Sequence, residues 1–357
     1  MEIFDVAIVG GGPAGSVCAA FCVAAGLRTI LIEREKFPRE KVCGDCLNPE
    51  CWPILRQLGI DQRLRESLHA TLASVAFIGL HDRCMEIELP QGEDAEIAIK
   101  RSIFDALLLD RAHQLGAEIR ETSTLTSLEK SNGDWKLAIA DAFTCRAQVL
   151  VAADGRNSTV ARLCGLLPHI GKERVALQAH ILLPHGFENK VVLQLLPDGY
   201  SGQAPVSESE LNLCLVGKPK SIRTLQKWAI ERFALSAGQQ WRTITPLTRA
   251  AVPPAHRNLL FAGDAARVVE PFTGEGIFYA LRSGVLAATA ATRIVQENST
   301  DAAAEYAAQH TAMYRGRLWI NALARSAVVS PKLGSILLDF ARFQPALLRF
   351  LTRRIVR

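Results

Sequence analysis

The sequence predicts an α/β fold: a parallel, helix-covered sheet into which a mixed β-sheet is inserted, followed by a helical C-terminal segment. Three observations predict it. β-branched runs alternate with helix-forming stretches from the first residues onward, at Phe4–Gly10, Pro13–Ala25 and Thr29–Glu33. Runs that alternate apolar and polar residues recur between positions 72 and 216, as antiparallel strands with one solvated face do. Residues 300–357 read as helix, broken at Pro331 and Pro345.

Phe4 to Gly10 is a buried parallel strand ending in glycine. Pro13 to Ala25 is a helix stopped by Gly26, and Thr29 to Glu33 is a second buried strand, completing a βαβ unit. A polar loop, Phe37 to Asn48, leads into a helix ending at Leu58. Segments 72–89 and 94–100 are half-exposed strands, and Arg101 opens an amphipathic helix with Ile103, Leu107, Leu108 and Ala112 on one face. Asn132-Gly133 marks a hairpin. Gln148 to Ala153 is a further buried strand, ending at Asp154-Gly155. More β structure runs from Arg174 to Val216, and Leu259 to Gly263 is a last buried strand before a helix over Gly276–Gln296. The domain division that follows is 1–71, 98–165 and 250–297 for the nucleotide-binding part. Residues 72–97 and 166–249 make the substrate part, and 298–357 the C-terminal helices.

At 357 residues and 49% apolar content the chain can bury a large core, so no part reads as a disordered tail. No apolar run is long enough to cross a bilayer and the first residues do not form a signal peptide, which predicts a cytoplasmic location. Nine cysteines, odd in number and mostly within apolar segments, fit reduced thiols better than a disulfide framework. Cys43, Cys46 and Cys51 cluster, but no fourth ligand stands at zinc-site spacing, so no metal is expected. The net charge of +5 is concentrated late: Arg315 to Arg357 holds nine Arg and Lys against one acid, Asp339. No helix-turn-helix, RNP or zinc-finger pattern accompanies it, and nucleic acid is not an expected partner.

Gly10-Gly11-Gly12-Pro13-Ala14-Gly15 fits G-x-G-x-x-G in the context that gives the pattern meaning, after a strand and at a helix start. Gly10 permits the tight turn, Gly12 lets backbone N–H groups approach a diphosphate, and Gly15 allows close helix–strand packing. The phosphates then lie at the positive end of the helix dipole. Glu33, with Arg34 beside it, ends the next strand, where a carboxylate accepts from ribose hydroxyls and repels a 2′-phosphate. The nucleotide is therefore FAD or NAD, not NADP. A second corner decides for FAD: Leu259 to Phe261 delivers Gly263-Asp264, whose carboxylate can bond the polyol arm of an extended dinucleotide. Gly274, Gly276 and Ile277 follow at the start of the long helix, whose amides can face the flavin edge. The fold is thus a Rossmann-type, GR2-like FAD-binding domain. No second G-x-G-x-x-G exists, so NAD(P)H either docks transiently or yields its place as donor to a separate reductase.

The order of these motifs, with Asp154-Gly155 between them, resembles p-hydroxybenzoate-hydroxylase-like flavoproteins. Phe37 to Asp45 and Thr273 to Ile277 are similar to the geranylgeranyl reductase branch. The resemblance covers about residues 1–290 and implies non-covalent FAD under a mixed sheet that roofs the flavin. It also implies Asp154 in the cofactor-binding set, Arg101 near the FAD phosphates and Leu125 by the adenine, with the Cys43-Gly44-Asp45 loop beside the flavin. From the residues alone, Arg101 equally fits a surface arginine at a helix start. Where that branch carries Tyr-x-Trp-x-Phe-Pro, this chain keeps Tyr200 and Pro205 but has Gly202 and Ala204 at the Trp and Phe positions. The Trp-x-Trp-x-Ile-Pro motif of flavin-dependent halogenases is missing.

Because those pocket aromatics are absent, the expected reaction is monooxygenation of a lipophilic or aromatic molecule through a flavin C4a-hydroperoxide. The alternative is hydride delivery from flavin N5 to a C=C bond. A non-catalytic flavin redox sensor using Cys43 and Cys46 is the reading from another class. His180 and Tyr200 are the acid–base candidates, although a lone histidine on an alternating strand is more often structural. The segment from Phe343 to Arg357 mixes apolar and basic residues, which fits a membrane-surface helix or one packed on its own domain with snorkelling arginines.

Overall fold

The computed structural model describes residues 1–317 apart from 132, 141, 169–173 and 237, together with 326, 330, 334 and 335. The main sheet is built on the strand Glu2–Val9, flanked in parallel by Thr29–Ile32 on one side and Thr144–Ala152 on the other. Glu118–Arg120 and Leu259–Phe261 extend it in parallel at either end. Alternation along the central strand divides the core. Val6 and Ile8 face a helical layer formed by Pro13–Ala24, Arg101–Gln114 and Gly276–Gln296, whereas Ala7 and Val9 face the other side. There the antiparallel pair Leu125–Ser131 and Asp134–Ile139 folds over the sheet through Trp135, Leu137 and Ile139. A β-branched central strand buried on both faces is what the unbroken run in the sequence requires.

The second sheet has seven strands. Arg242–Ile244, Val175–Leu182, Glu210–Gly217, Gly199–Pro205 and Lys190–Leu196 pair antiparallel in that order. Ser74–Ile78 then joins in parallel, carrying Cys84–Glu88 at its edge. One face rests on the helix Ile222–Arg232 through Leu211, Leu213 and Leu215, and the other turns toward the nucleotide-binding part. Segment 94–100 contributes only the two-residue strand Ile97–Ala98. The helix Ile222–Arg232 went unread in the sequence, as did Asp61–Glu66; the former buries only Leu225 and Ala229, too few apolar positions to set a period. Ala302–Met313 is helical; the breaks at Pro331 and Pro345 and the Phe343–Arg357 segment lie outside the described residues. Among the described residues no helix is long and apolar enough to cross a membrane.

Candidate active site

The first glycine corner is fixed by sterics. Gly10 has φ +106°, and a methyl there would lie 2.5 Å from the Ala153 carbonyl oxygen. A methyl on Gly15 would lie 1.9 Å from Gly10 O, so strand, turn and helix touch backbone to backbone. Gly12 is different. It is the N-cap of Pro13–Ala24, no side chain caps that helix, and a methyl on it would meet only Arg39 Nη2 at 3.7 Å. The helix N-terminus is therefore open to an anion. Glu33, buried at the end of the next strand, accepts from Gly11 N at 2.6 Å and Glu35 N at 2.9 Å, tying the glycine loop to that strand. Arg34 is exposed on the rim and pairs with Glu35. Leu125 is buried with Val9 and Ile32, beside the ends of both strands.

A basic cluster faces this opening. Asp105, fully buried, accepts from Arg101 Nε and Nη2 at 2.7 Å each, and Arg39 Nη2 lies 3.1 Å from its Oδ2. Arg39 also stacks on Phe37, 4.5 Å from the ring centre, and its buried Nη1 meets no acceptor among the described residues. Lys41 joins them: burial, and then the Arg101 charge, push its ammonium down to about 8. Three cations held around one carboxylate, at a capless helix N-terminus, are what a diphosphate requires. The sequence reading found Arg101 but missed Arg39, Lys41 and Asp105. The available signal was Asp105 itself, a carboxylate one turn after Arg101 on the helix's buried face.

The late corner packs directly on the first. Gly263, at φ +59°, would bring a methyl 3.1 Å from Ala14 Cβ, and one on Gly284 would lie 2.5 Å from Ala14 O. The long helix thus crosses the phosphate helix at Ala14, with Gly263 N donating to Ser283 Oγ at 2.8 Å. Asp264 is paired with Arg156, whose Nη2 donates to Oδ2 at 3.0 Å. Burial pushes the Asp264 carboxyl up, but Arg156, Lys41 and Arg101 outweigh it and hold the group below the usual carboxylate range. Asp154 has a structural task in addition: its Oδ2 accepts from Val160 N at 3.0 Å at the start of Thr159–Leu163. Gly44, Gly274 and Gly276 leave open space where a side chain would stand, while Ile277 is buried and Glu275 accepts from Tyr279 and Arg317. Bare backbone beside these basic groups leaves room for an extended anionic ligand.

The substrate sheet meets this cleft at the Cys43-Gly44-Asp45 loop. Gln178 Nε2, Asn212 Nδ2 and Cys214 Sγ all donate to Cys43 O, at 3.0, 2.9 and 3.2 Å. Strand register places Gln178, His180, Asn212 and Cys214 on one face, next to Tyr200, Gly202 and Leu193. That face has a polar half against the loop and an apolar half beyond it. Tyr200 is buried edge-on to Phe272 at 5.2 Å, and Phe77 approaches Phe272 at 6.3 Å. Burial drives the Tyr200 phenol well above its usual value, as expected for a packed ring. Phe77, Leu193, Gly202, Cys214 and Phe272 keep partial exposure on that face. His180 lies at its polar end, with Nε2 2.8 Å from Asp45 Oδ2. A buried bidentate pair, Arg174 to Glu270 at 3.1 and 2.6 Å, clamps the sheet to the segment carrying Phe272.

Comparison with known proteins agrees with this geometry. A sequence profile described as FAD binding domain matches residues 4–194. Conditioned medium factor receptor 1 of Dictyostelium discoideum is 28% identical over 83% of this chain. A menaquinone reductase of Mycolicibacterium smegmatis is 29% identical over 80%, and a digeranylgeranylglycerophospholipid reductase of Thermoplasma volcanium 27% over 84%. The chain spans 64% of the length of the first of these and 75% and 80% of the other two. Among solved structures, the flavin-dependent halogenase CmlS shares the fold with a TM-score of 0.75 and 23% identity, over 88% of this chain and 62% of its own. The structure of PqsL from Pseudomonas aeruginosa, described as a probable FAD-dependent monooxygenase, gives 0.80 and 16%, over 95% of this chain and all of its own.

Proposed function

From the premise that this chain belongs to the FAD binding domain family, whose profile covers more than half of it, we propose that it reduces a carbon–carbon double bond of a lipophilic small molecule. That it is an FAD-dependent oxidoreductase follows from the family; the reaction and substrate are the proposal. Bound FAD would supply the hydride chemistry. Gly12, Arg39, Lys41 and Arg101 would hold its diphosphate, Glu33 its adenosine end, and Asp264 with Arg156 its polyol. NAD(P)H, directly or through a reductase, is the proposed source of electrons.

The observation that carries the reading is the aromatic cluster on the partly exposed face of the second sheet. The expectation of oxygenation rested on missing aromatics at positions 202 and 204. Phe272 packs on Tyr200 and Phe77 packs on Phe272, so two other elements supply an apolar, aromatic surface there. Two of the sequence relatives are named as reductases, of menaquinone and of a digeranylgeranylglycerophospholipid, which supports an extended apolar substrate. One feature favours the second reading, oxygenation of a compact ring: Gly202 and Ala204 stand where the reductase motif carries Trp and Phe, and a methyl on Gly202 would make only ordinary contact with Leu193 and Cys214, at 3.7 and 3.9 Å.

Anaerobic single turnover separates the two. Dithionite-reduced holoprotein mixed with a polyprenyl alcohol should give a product two hydrogens heavier, with reoxidised flavin and no oxygen present. Product that forms only after ¹⁸O₂ is admitted, and carries the label, would overturn reduction in favour of oxygenation.

A further inference from the structure

The Cys43-Gly44-Asp45 loop holds a carboxylate that nothing in the cofactor site explains. Asp45 is fully buried, and its backbone sits at φ +62°, in the left-handed region that few non-glycine residues adopt and that Asp tolerates better than most. Its Oδ2 lies 2.8 Å from His180 Nε2, and its Oδ1 meets no donor among the described residues. On the other edge of the same ring, His180 Nδ1 faces Glu40 Oε2 at 4.0 Å, and that oxygen has no hydrogen-bond partner among the described residues. Glu40 is 28% exposed and lines an open cleft of about 580 Å³ with Pro38, Arg63, Ser102 and Asp110. Three titratable side chains therefore stand in file from solvent to the loop.

We propose that Glu40, His180 and Asp45 form a proton relay from this cleft to the face of the second sheet that borders the flavin. The proposal rests on the reading that the loop borders the flavin. A histidine whose two nitrogens face two carboxylates can take a proton at one edge and release one at the other. The 4.0 Å gap at Glu40 closes with a side-chain rotation or one bridging water. The groups facing Asp45 are His180, Arg101 and Glu40, the thiols of Cys43, Cys46 and Cys214, and the Gln178 amide at 3.5 Å. Burial raises the Asp45 carboxyl to about 6, against the opposing pull of His180, so it can hold a proton and give it up near neutral pH.

The reduction balances with this supply. The alkene gains a hydride at one carbon and the proton of Asp45 at the other, directly or through a water, so that two C–H bonds replace one π bond. As His180 Nε2–H reprotonates Asp45, Nδ1 takes up a proton from Glu40 and the cleft, so the ring does not pass through an imidazolate.

The test uses holoprotein and needs no organic substrate. Two-electron reduction of bound FAD by reduced methyl viologen, which gives up electrons without releasing protons, takes up a proton from the medium, and the rate is followed with a pH indicator in H₂O and D₂O. His180→Gln should slow uptake at least tenfold and enlarge the solvent isotope effect. Imidazole should restore the rate in His180→Gly, and Glu40→Gln should show the same defect in weaker form. Uptake at the wild-type rate in both His180→Gln and Glu40→Gln would overturn the relay, as would slowing that imidazole fails to relieve. If His180→Gln loses FAD, Glu40→Gln, altered at the cleft mouth, decides alone. A protein that passes this test yet reduces no alkene would sink the proposed reaction and leave the relay standing.

Discussion

Replacing Gly12 and Gly15 separately by alanine should divide cofactor binding from folding. At Gly15 the new methyl would sit 1.9 Å from Gly10 O, and Gly10 cannot retreat because it lies against Ala153. Relief to an ordinary contact needs a shift of about 1.5 Å between strand and helix, and overpacking of that kind costs ~1–3 kcal/mol or more. Gly15→Ala should therefore lose both stability and FAD. At Gly12 the backbone is extended, φ −72°, and the methyl meets only the mobile end of Arg39 at 3.7 Å. Exchanging a glycine N-cap for alanine costs about 1 kcal/mol at most, a fall in Tm of roughly 3 °C. The same methyl occupies the approach of the diphosphate to the helix N-terminus. Loss of one charge-assisted hydrogen bond there is worth ~1.5–3 kcal/mol, or about 10- to 100-fold in Kd. Quenching of FAD fluorescence measures the affinity and thermal unfolding of the apoprotein measures stability. Gly12→Ala that binds FAD as tightly as the wild type would refute the seating of the diphosphate at this helix.

Arg39→Met should weaken FAD about 10- to 100-fold and reduce the salt dependence of Kd, with little change in apoprotein Tm, because Asp105 keeps its two bonds from Arg101; an unchanged Kd would remove Arg39 from the site. The Lys41 ammonium is charged below about 8, so FAD affinity should be level up to that pH and fall above it, by at most tenfold per unit. Lys41→Met should abolish the fall, and a slope that persists in it assigns the titration elsewhere. Glu96 has its carboxyl raised by burial from 4.5 to about 7, so it is protonated in the folded state. Its contribution is intact below about 4.5 and is lost as pH rises toward 7. Glu96→Gln should accordingly gain ~1–3 kcal/mol at pH 8 and almost nothing at pH 4, read from urea midpoints at the two pH values.

The two glycine corners were legible because each answers a local demand: Gly10 and Gly15 for backbone contact, Gly263 for a left-handed turn against Ala14. Their meeting point was not. Ala14 and Gly284 are small residues in helices full of small residues, and only the crossing of those helices gives them a task. Arg39 and Lys41 have the composition of any solvated loop; what distinguishes them is Asp105, 66 positions beyond Arg39, whose burial depends on the tertiary fold. The aromatic cluster was hidden for the same reason. Positions 202 and 204 predicted an emptied pocket, yet Ser74–Ile78 pairs in parallel with Lys190–Leu196 and carries Phe77 to that face. Phe272 reaches it from the segment that Arg174 clamps through Glu270. Lining supplied by three elements far apart in sequence can keep its aromatic character while any one position changes. A motif confined to one strand therefore constrains substrate choice less than the register that brings those elements together. The Asp45–His180 contact, 135 residues apart, belongs to that register as well: a one-residue slip of Val175–Leu182 would turn His180 to the opposite face and leave Asp45 buried without its partner.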